Sequence, residues 1–162
     1  IGGGEYTCFL NGNENACTPE MFVRYAQIAA LMPVMQFSAS PWRVLPEADF
    51  QKVKDALALR EKCLPGILKA VECAKVTGEP IVRSMEFVFP GQGMERVMDQ
   101  FMVGEDLLVA PVWKQGEVAR SVRLPEGQWR CVGLGETEGD VLNGGRDVIL
   151  GENEGLVVLK RV

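Results

Sequence analysis

The chain contains no histidine at all. Without an imidazole, neither a Ser-His-Asp nor a Cys-His arrangement can be assembled from its own residues. Cysteine is sparse: Cys8, Cys17, Cys63, Cys73 and Cys131 show no CxxC spacing and are odd in number, which with the missing histidine argues against a zinc site. Cys63 and Cys73 fall on one expected helix about 15 Å apart along its axis, too far to bond each other, and read as small core residues. No run of about 18 apolar residues occurs, so the sequence holds no transmembrane helix. The net charge is −5 and the Arg and Lys residues form no stripe, which argues against a nucleic-acid partner. Gly91-Gln92-Gly93 lacks the strand-then-helix context of a dinucleotide fingerprint, so no cofactor is expected.

What is present describes an ordinary globular chain, 47% hydrophobic and 24% charged. The stretch Asp99 to Trp113, DQFMVGEDLLVAPVW, organises the rest. Leu107 to Ala110 is too short and too evenly apolar for a surface helix and reads as a buried strand, bounded by Gly104 and Pro111. Asp99 and Asp106 flank it, where carboxylates commonly accept backbone hydrogen bonds that fix a turn.

The chain opens on Ile1-Gly2-Gly3-Gly4. Three glycines permit positive φ and close backbone approach, as at the end of a barrel strand lining a pocket, or else mark a flexible end. Asn11 to Cys17 reads as a loop. Thr18-Pro19-Glu20 is a helix start with hydroxyl cap, proline at the first position and an acid in the first turn. Met21, Phe22, Tyr25, Ile28, Ala29 and Met32 continue it on one face, and Pro33 ends it. Val34 to Phe37 reads as a short strand and Ser38 to Trp42 as a loop. Gln36, Ser38 and Trp42 are the candidate substrate-binding residues: Trp offers an apolar ring face to a ligand, and a polar residue inside an apolar strand needs a partner. The alternative for Trp42 is a core residue anchoring the loop.

Pro46 starts a second helical region running to Val76, with Thr77-Gly78 as its stop and Pro65 implying a kink or a break. Lys52, Lys54, Asp55, Arg60, Glu61 and Lys62 form its expected wet face. From Pro80 onward the texture changes to strands: Ile81 to Val88, Leu107 to Val112, Ala119 to Leu124, Gln128 to Val132, Arg146 to Leu150 and Leu156 to Arg161. Such regular short strands suggest an antiparallel sandwich. Leu124 to Trp129 looks like a tight hairpin with Trp129 packed inward.

DQFM, Gly104 and DLLVAPV together resemble the signature that joins the catalytic barrel to the first C-terminal β-domain in glycoside hydrolase family 31, whose members act on α-glycosides. Pro41-Trp42, the helix end near Gly78, Glu79 to Arg83, Phe89-Pro90 and Leu124 to Trp129 follow in that family's order. The resemblance implies an α/β plus all-β fold: residues 1–79 as the last segment of a (β/α)8 barrel and residues 80–162 as the proximal β-sandwich domain. It implies a carbohydrate substrate, an α-glycoside, and the remainder of the barrel as the partner of these residues. The two catalytic aspartates of a retaining glycosidase are expected on polypeptide upstream of this chain, so no catalytic residue is assigned within it. Many relatives carry an Arg and a His where this sequence has Gln36 and Ser38. The change removes a charge and a strong donor and points to another sugar preference, such as α-galactoside, or to lost activity. A non-catalytic sugar-binding or structural module is the alternative.

Overall fold

The computed structural model describes residues 1, 2, 17–132, 141–150 and 155–162. The expectations for Gly3, Gly4, Cys8 and the loop from Asn11 lie outside these residues. Helix α1 spans Pro19–Ala30, with the Thr18 side chain accepting the Met21 N–H at 3.1 Å as the sequence predicts. A single turn, α2 (Pro41–Val44), stands where the sequence reads as a loop. Helix α3 runs from Glu47–Thr77 and ends on Gly78 at φ 75, the left-handed cap that only glycine adopts cheaply.

Pro65 lies inside α3 without breaking it. Its neighbours explain why. Cys63 and Ile67, on either side, are buried in the same cluster as Leu59 and Ala70, so packing against one sheet holds both halves in line against the lost backbone bond. Arg60 also departs from the expected wet face. Its guanidinium donates to the carbonyls of Ala30 and Met32 at 2.7 Å and of Pro33 at 3.2 Å. Helix α1 has no basic residue in its own last turn, and Arg60 supplies the missing cation to its unpaired carbonyls.

The strands are β1 (Val82–Ser84), β2 (Phe101–Val103), β3 (Leu107–Pro111), β4 (Arg120–Leu124), β5 (Gln128–Cys131), β6 (Val141–Asn143), β7 (Arg146–Leu150) and β8 (Leu156–Arg161). The expected strand from Ile81 to Val88 is cut after Ser84. Its hydroxyl accepts the Phe87 N–H at 3.2 Å and caps a helical turn, α4 (Met85–Val88). One six-stranded antiparallel sheet has the order β1-β2-β3-β8-β5-β6, and β4 pairs with β7 in a second, two-stranded sheet.

The central pair, β3 and β8, accounts for the apolar runs LLVAP and LVVL. Leu107, Val109, Leu156 and Val158 pack on α1 and α3. Leu108, Ala110, Val157 and Leu159 point the other way, onto Val122 and Leu124 of the small sheet. A strand buried on both faces carries no polar alternation, which is why these segments read as continuous hydrophobic runs. The result is three layers: helices, the large sheet, then the small sheet. One core lies on each side of the middle layer.

Leu124 to Trp129 is not a hairpin. β4 and β5 belong to different sheets, and the turn between them is a corner. Trp129 is fully buried there as the sequence predicts, edge-on to Phe89 with centroids 5.9 Å apart and its Nε1–H donating to the Pro125 carbonyl at 2.9 Å. The opening pair Asp99-Gln100 fastens the two sheets together. The Gln100 amide donates to Arg123 O at 3.0 Å and accepts the Arg123 N–H at 2.7 Å, so a side chain supplies the ladder bonds that a neighbouring strand would.

Candidate functional site

Residues 34–37 form no strand ladder, and the backbone partner of this segment is Ile1. The Ile1 amino group donates to Gln36 O at 2.7 Å and the Ser38 N–H donates to Ile1 O at 2.9 Å. One residue bonded on both sides in this way, opposite Phe37, is the pattern of parallel pairing. Ser38 Oγ adds a bond to the same Ile1 carbonyl at 2.8 Å. Gly2 follows at φ 97, in the region the glycine-rich opening led one to expect.

Alternation along this segment separates its two faces. Met35, Phe37 and Ala39 pack with Phe22, Val23, Ala26 and Val53 of α1 and α3, and the Phe37 and Phe22 rings stack at 6.1 Å. Val34, Gln36 and Ser38 alternate with these residues and are exposed. The Gln36 carboxamide therefore stands on an open face. Gln36 and Ser38 line a common groove of about 350 Å³ with Ile1, Tyr25, Met32 and Val34. Trp42 is not among the lining residues. It sits on α2, 66% exposed and edge-on to Phe50 at 6.5 Å; buried Pro41, not Trp42, anchors this turn.

Two charge arrangements were not legible in the sequence. Arg24 donates to the Glu20 carboxylate, to Val112 O at 3.0 Å and to Glu117 O at 2.6 Å, while the Gly116 N–H donates to Glu20 at 2.9 Å. This clasp ties the first turns of α1 to the connection between β3 and β4. The Gly116 N–H, followed by Arg24, holds the Glu20 carboxyl below its ordinary value. The second is Arg120, buried beneath Asp99 and donating to its carboxylate at 2.7 Å. Asp106 is likewise paired, with Lys69 at 2.7 Å, and that hydrogen bond raises the Lys69 pKa. Both carboxylates of the opening stretch are thus bound to cations rather than to turn N–H groups. Burial raises the Cys63 thiol, which suits an inert core residue better than a nucleophile. Cys73 is half-buried.

Residues 78–148 match the model of the glycosyl hydrolase family 31 C-terminal domain. The chain is 37% identical over 133 residues to the myogenesis-regulating glycosidase of Mus musculus, across 80% of this chain and 19% of that protein. It is 30% identical over 132 residues to an alpha-glucosidase of Saccharolobus solfataricus, across 77% of this chain and 18% of that one. Among solved structures, a GH31 alpha-xylosidase from a soil metagenome complexed with xylose superposes with a TM-score of 0.76 at 29% identity, over 88% of this chain and 25% of that chain. The chain therefore spans about a fifth to a quarter of the length of these relatives. In sequence, in the three-layer arrangement around β3 and β8, and in the DQFM and LLVAPV segments that build it, the chain belongs to glycosyl hydrolase family 31.

Proposed function

We propose that the whole protein is a retaining α-glycoside hydrolase that removes terminal α-linked sugars from oligosaccharides or glycoconjugates. Residues 1–79 are the end of its (β/α)8 barrel, and residues 80–162 are its proximal C-terminal β-sandwich. The observation that carries this reading is the parallel pairing of Ile1 with Phe37, each followed in the chain by a helix. Strand, helix, parallel strand, helix is the repeating unit of such a barrel. On this reading the exposed face bearing Gln36 and Ser38 is the one that looks into a barrel's interior, and ligands there meet strand ends and the loops after them.

In the reaction, one aspartate attacks the anomeric carbon while a second carboxylic acid protonates the departing oxygen; water then hydrolyses the glycosyl-enzyme with the second residue as base. Both aspartates belong to polypeptide N-terminal to these residues. The part played here is binding: Gln36 supplies an amide donor and acceptor, Ser38 a hydroxyl, and Trp42 an apolar ring face. An uncharged pair at 36 and 38 suits a sugar recognised by neutral hydroxyl contacts, and α-galactosides join α-glucosides and α-xylosides as the substrates to try. The same uncharged pair favours, as the second reading, a module that binds sugar without turning it over.

The full-length protein is to be assayed on aryl α-glucoside, α-galactoside and α-xyloside, with the anomer released first followed by proton NMR. Turnover with retention is expected, and Gln36→Ala or Trp42→Ala should raise KM about tenfold, the loss of roughly 1.4 kcal/mol of binding. Absence of turnover on every α-glycoside defeats the enzyme reading; saturable sugar binding without turnover supports the second.

A further inference from the structure

We infer that the chain carries another sugar-binding platform, centred on Trp113, that takes an α-linked oligosaccharide. The inference rests on the carbohydrate reading above and centres on a residue that reading does not use. Trp113 lies two residues beyond β3 and is 58% exposed, beside Met98 at 87%. With Asp99, Phe101 and Pro111 they line a groove of about 480 Å³, within the range of small-ligand sites. Large apolar side chains gathered on a surface mark a place where something binds.

The polar groups around the ring decide what. The Asp99 carboxylate is held by Arg120 at 2.7 Å while 47% of its side chain remains exposed. An ionised carboxylate has acceptor positions to spare after one such bond, so vicinal hydroxyls can donate to an anchored group. Lys114 Nζ lies over the Trp113 ring, 5.4 Å from its centre, and 3.3 Å from Glu117, adding a donor next to the ring. A protein-binding patch excludes charge from its middle. A flat ring framed by a fixed acceptor and a donor matches a sugar, with apolar C–H faces and polar edges.

The platform is also preorganised. The Arg24 and Glu20 clasp grips Val112, Gly116 and Glu117, so the loop bearing Trp113 is tied down on both sides of that residue and little order remains to be imposed on binding. The clasp sets this loop beside the first turns of α1 and α3, since Glu20, Arg24, Asp49, Lys52 and Glu117 border one groove. Trp42, on α2, stands edge-on to Phe50 in the first turn of α3. Both exposed tryptophans thus serve the same end of the helical layer, and the ligand assigned is a chain of sugars, not a single ring.

The test uses the full-length protein and hexamers of α-linked glucose and of α-linked galactose, titrated calorimetrically beside an aryl α-monoglycoside. Trp113→Ala should weaken hexamer binding about tenfold, Trp113→Phe should restore most of it, and monoglycoside binding should not move. Hexamer affinity independent of Trp113, failure of both hexamers to bind, or equal losses for hexamer and monoglycoside would each overturn the inference. So would a lowered melting temperature with unchanged titrations, the signature of a patch covered by protein. Trp113-dependent binding without hydrolysis defeats the glycosidase reading and leaves the platform standing; hydrolysis with Trp113-independent binding does the reverse.

Discussion

Replacing Arg120 tests how the two sheets are joined. Its guanidinium donates to the backbone carbonyls of Asp99 and Pro111, each at 2.7 Å, and to the Asp99 carboxylate at 2.7 Å. The ion pair looks the stronger link, but Asp99 is half in solvent, and such pairs contribute about 0–1 kcal/mol. The carbonyls behave differently. Stripped of a donor, each buried acceptor costs about 1–3 kcal/mol. Arg120→Ala should therefore destabilise by about 3–5 kcal/mol, and Asp99→Ala by about 1 kcal/mol or less. Arg120→Lys should not restore the loss, because a single ammonium cannot span the positions a planar fork reaches. Urea unfolding followed by fluorescence of the buried Trp129 reads the difference: a midpoint lowered by roughly 1–3 M for Arg120→Ala at unchanged slope, and a small shift for Asp99→Ala. If Asp99→Ala lowers the midpoint as far as Arg120→Ala does, or if lysine rescues, the charge pair and not carbonyl satisfaction joins the sheets.

Pro65→Ala should stabilise the protein, because it returns a backbone donor to an unbroken helix at an exposed position; a gain of about 1–3 kcal/mol is expected in the same titration, and a fall would mean that the proline is needed for the packing of α3. The Glu20 carboxyl titrates below its ordinary value of 4.5, so its contribution is fully present above that pH and is lost as pH falls through the folded value. Glu20→Gln should accordingly lower stability at pH 7 and flatten the acid limb, with the two stability curves converging below the folded value. Parallel curves from pH 7 to pH 2 would refute the clasp.

Local chemistry was legible where one residue's immediate neighbours set its conformation. Thr18-Pro19 starts α1 because a hydroxyl and an N–H-free residue suit the unpaired end of any helix. Leu107 to Pro111 and Leu156 to Leu159 lie in strands because such short, wholly apolar runs suit burial on both faces. The short strand β2 escaped notice because Phe101-Met102-Val103 has no pattern of its own; it is defined by its register, Phe101 opposite Val109 and Ser84. The candidate site was legible in part. Gln36 and Ser38 share one face as their spacing implies, whereas the surroundings of Trp42 and the clasp around Glu20 depend on which elements meet.

The amino-acid sequence alone determined the family, the start of α1, the end of α3, the inward Trp129 and the apolar centre of the sheet, since each follows from neighbouring residues along the chain. Only the tertiary structure decided that the corner at Pro125 passes between sheets, that Pro65 sits in an unbroken helix, and that Arg60 and Arg120 are structural donors instead of surface charge. The physical reason is shared: an arginine, a proline or a turn has several admissible partners locally, and the choice among them is made by carbonyls and apolar faces brought close from distant parts of the chain.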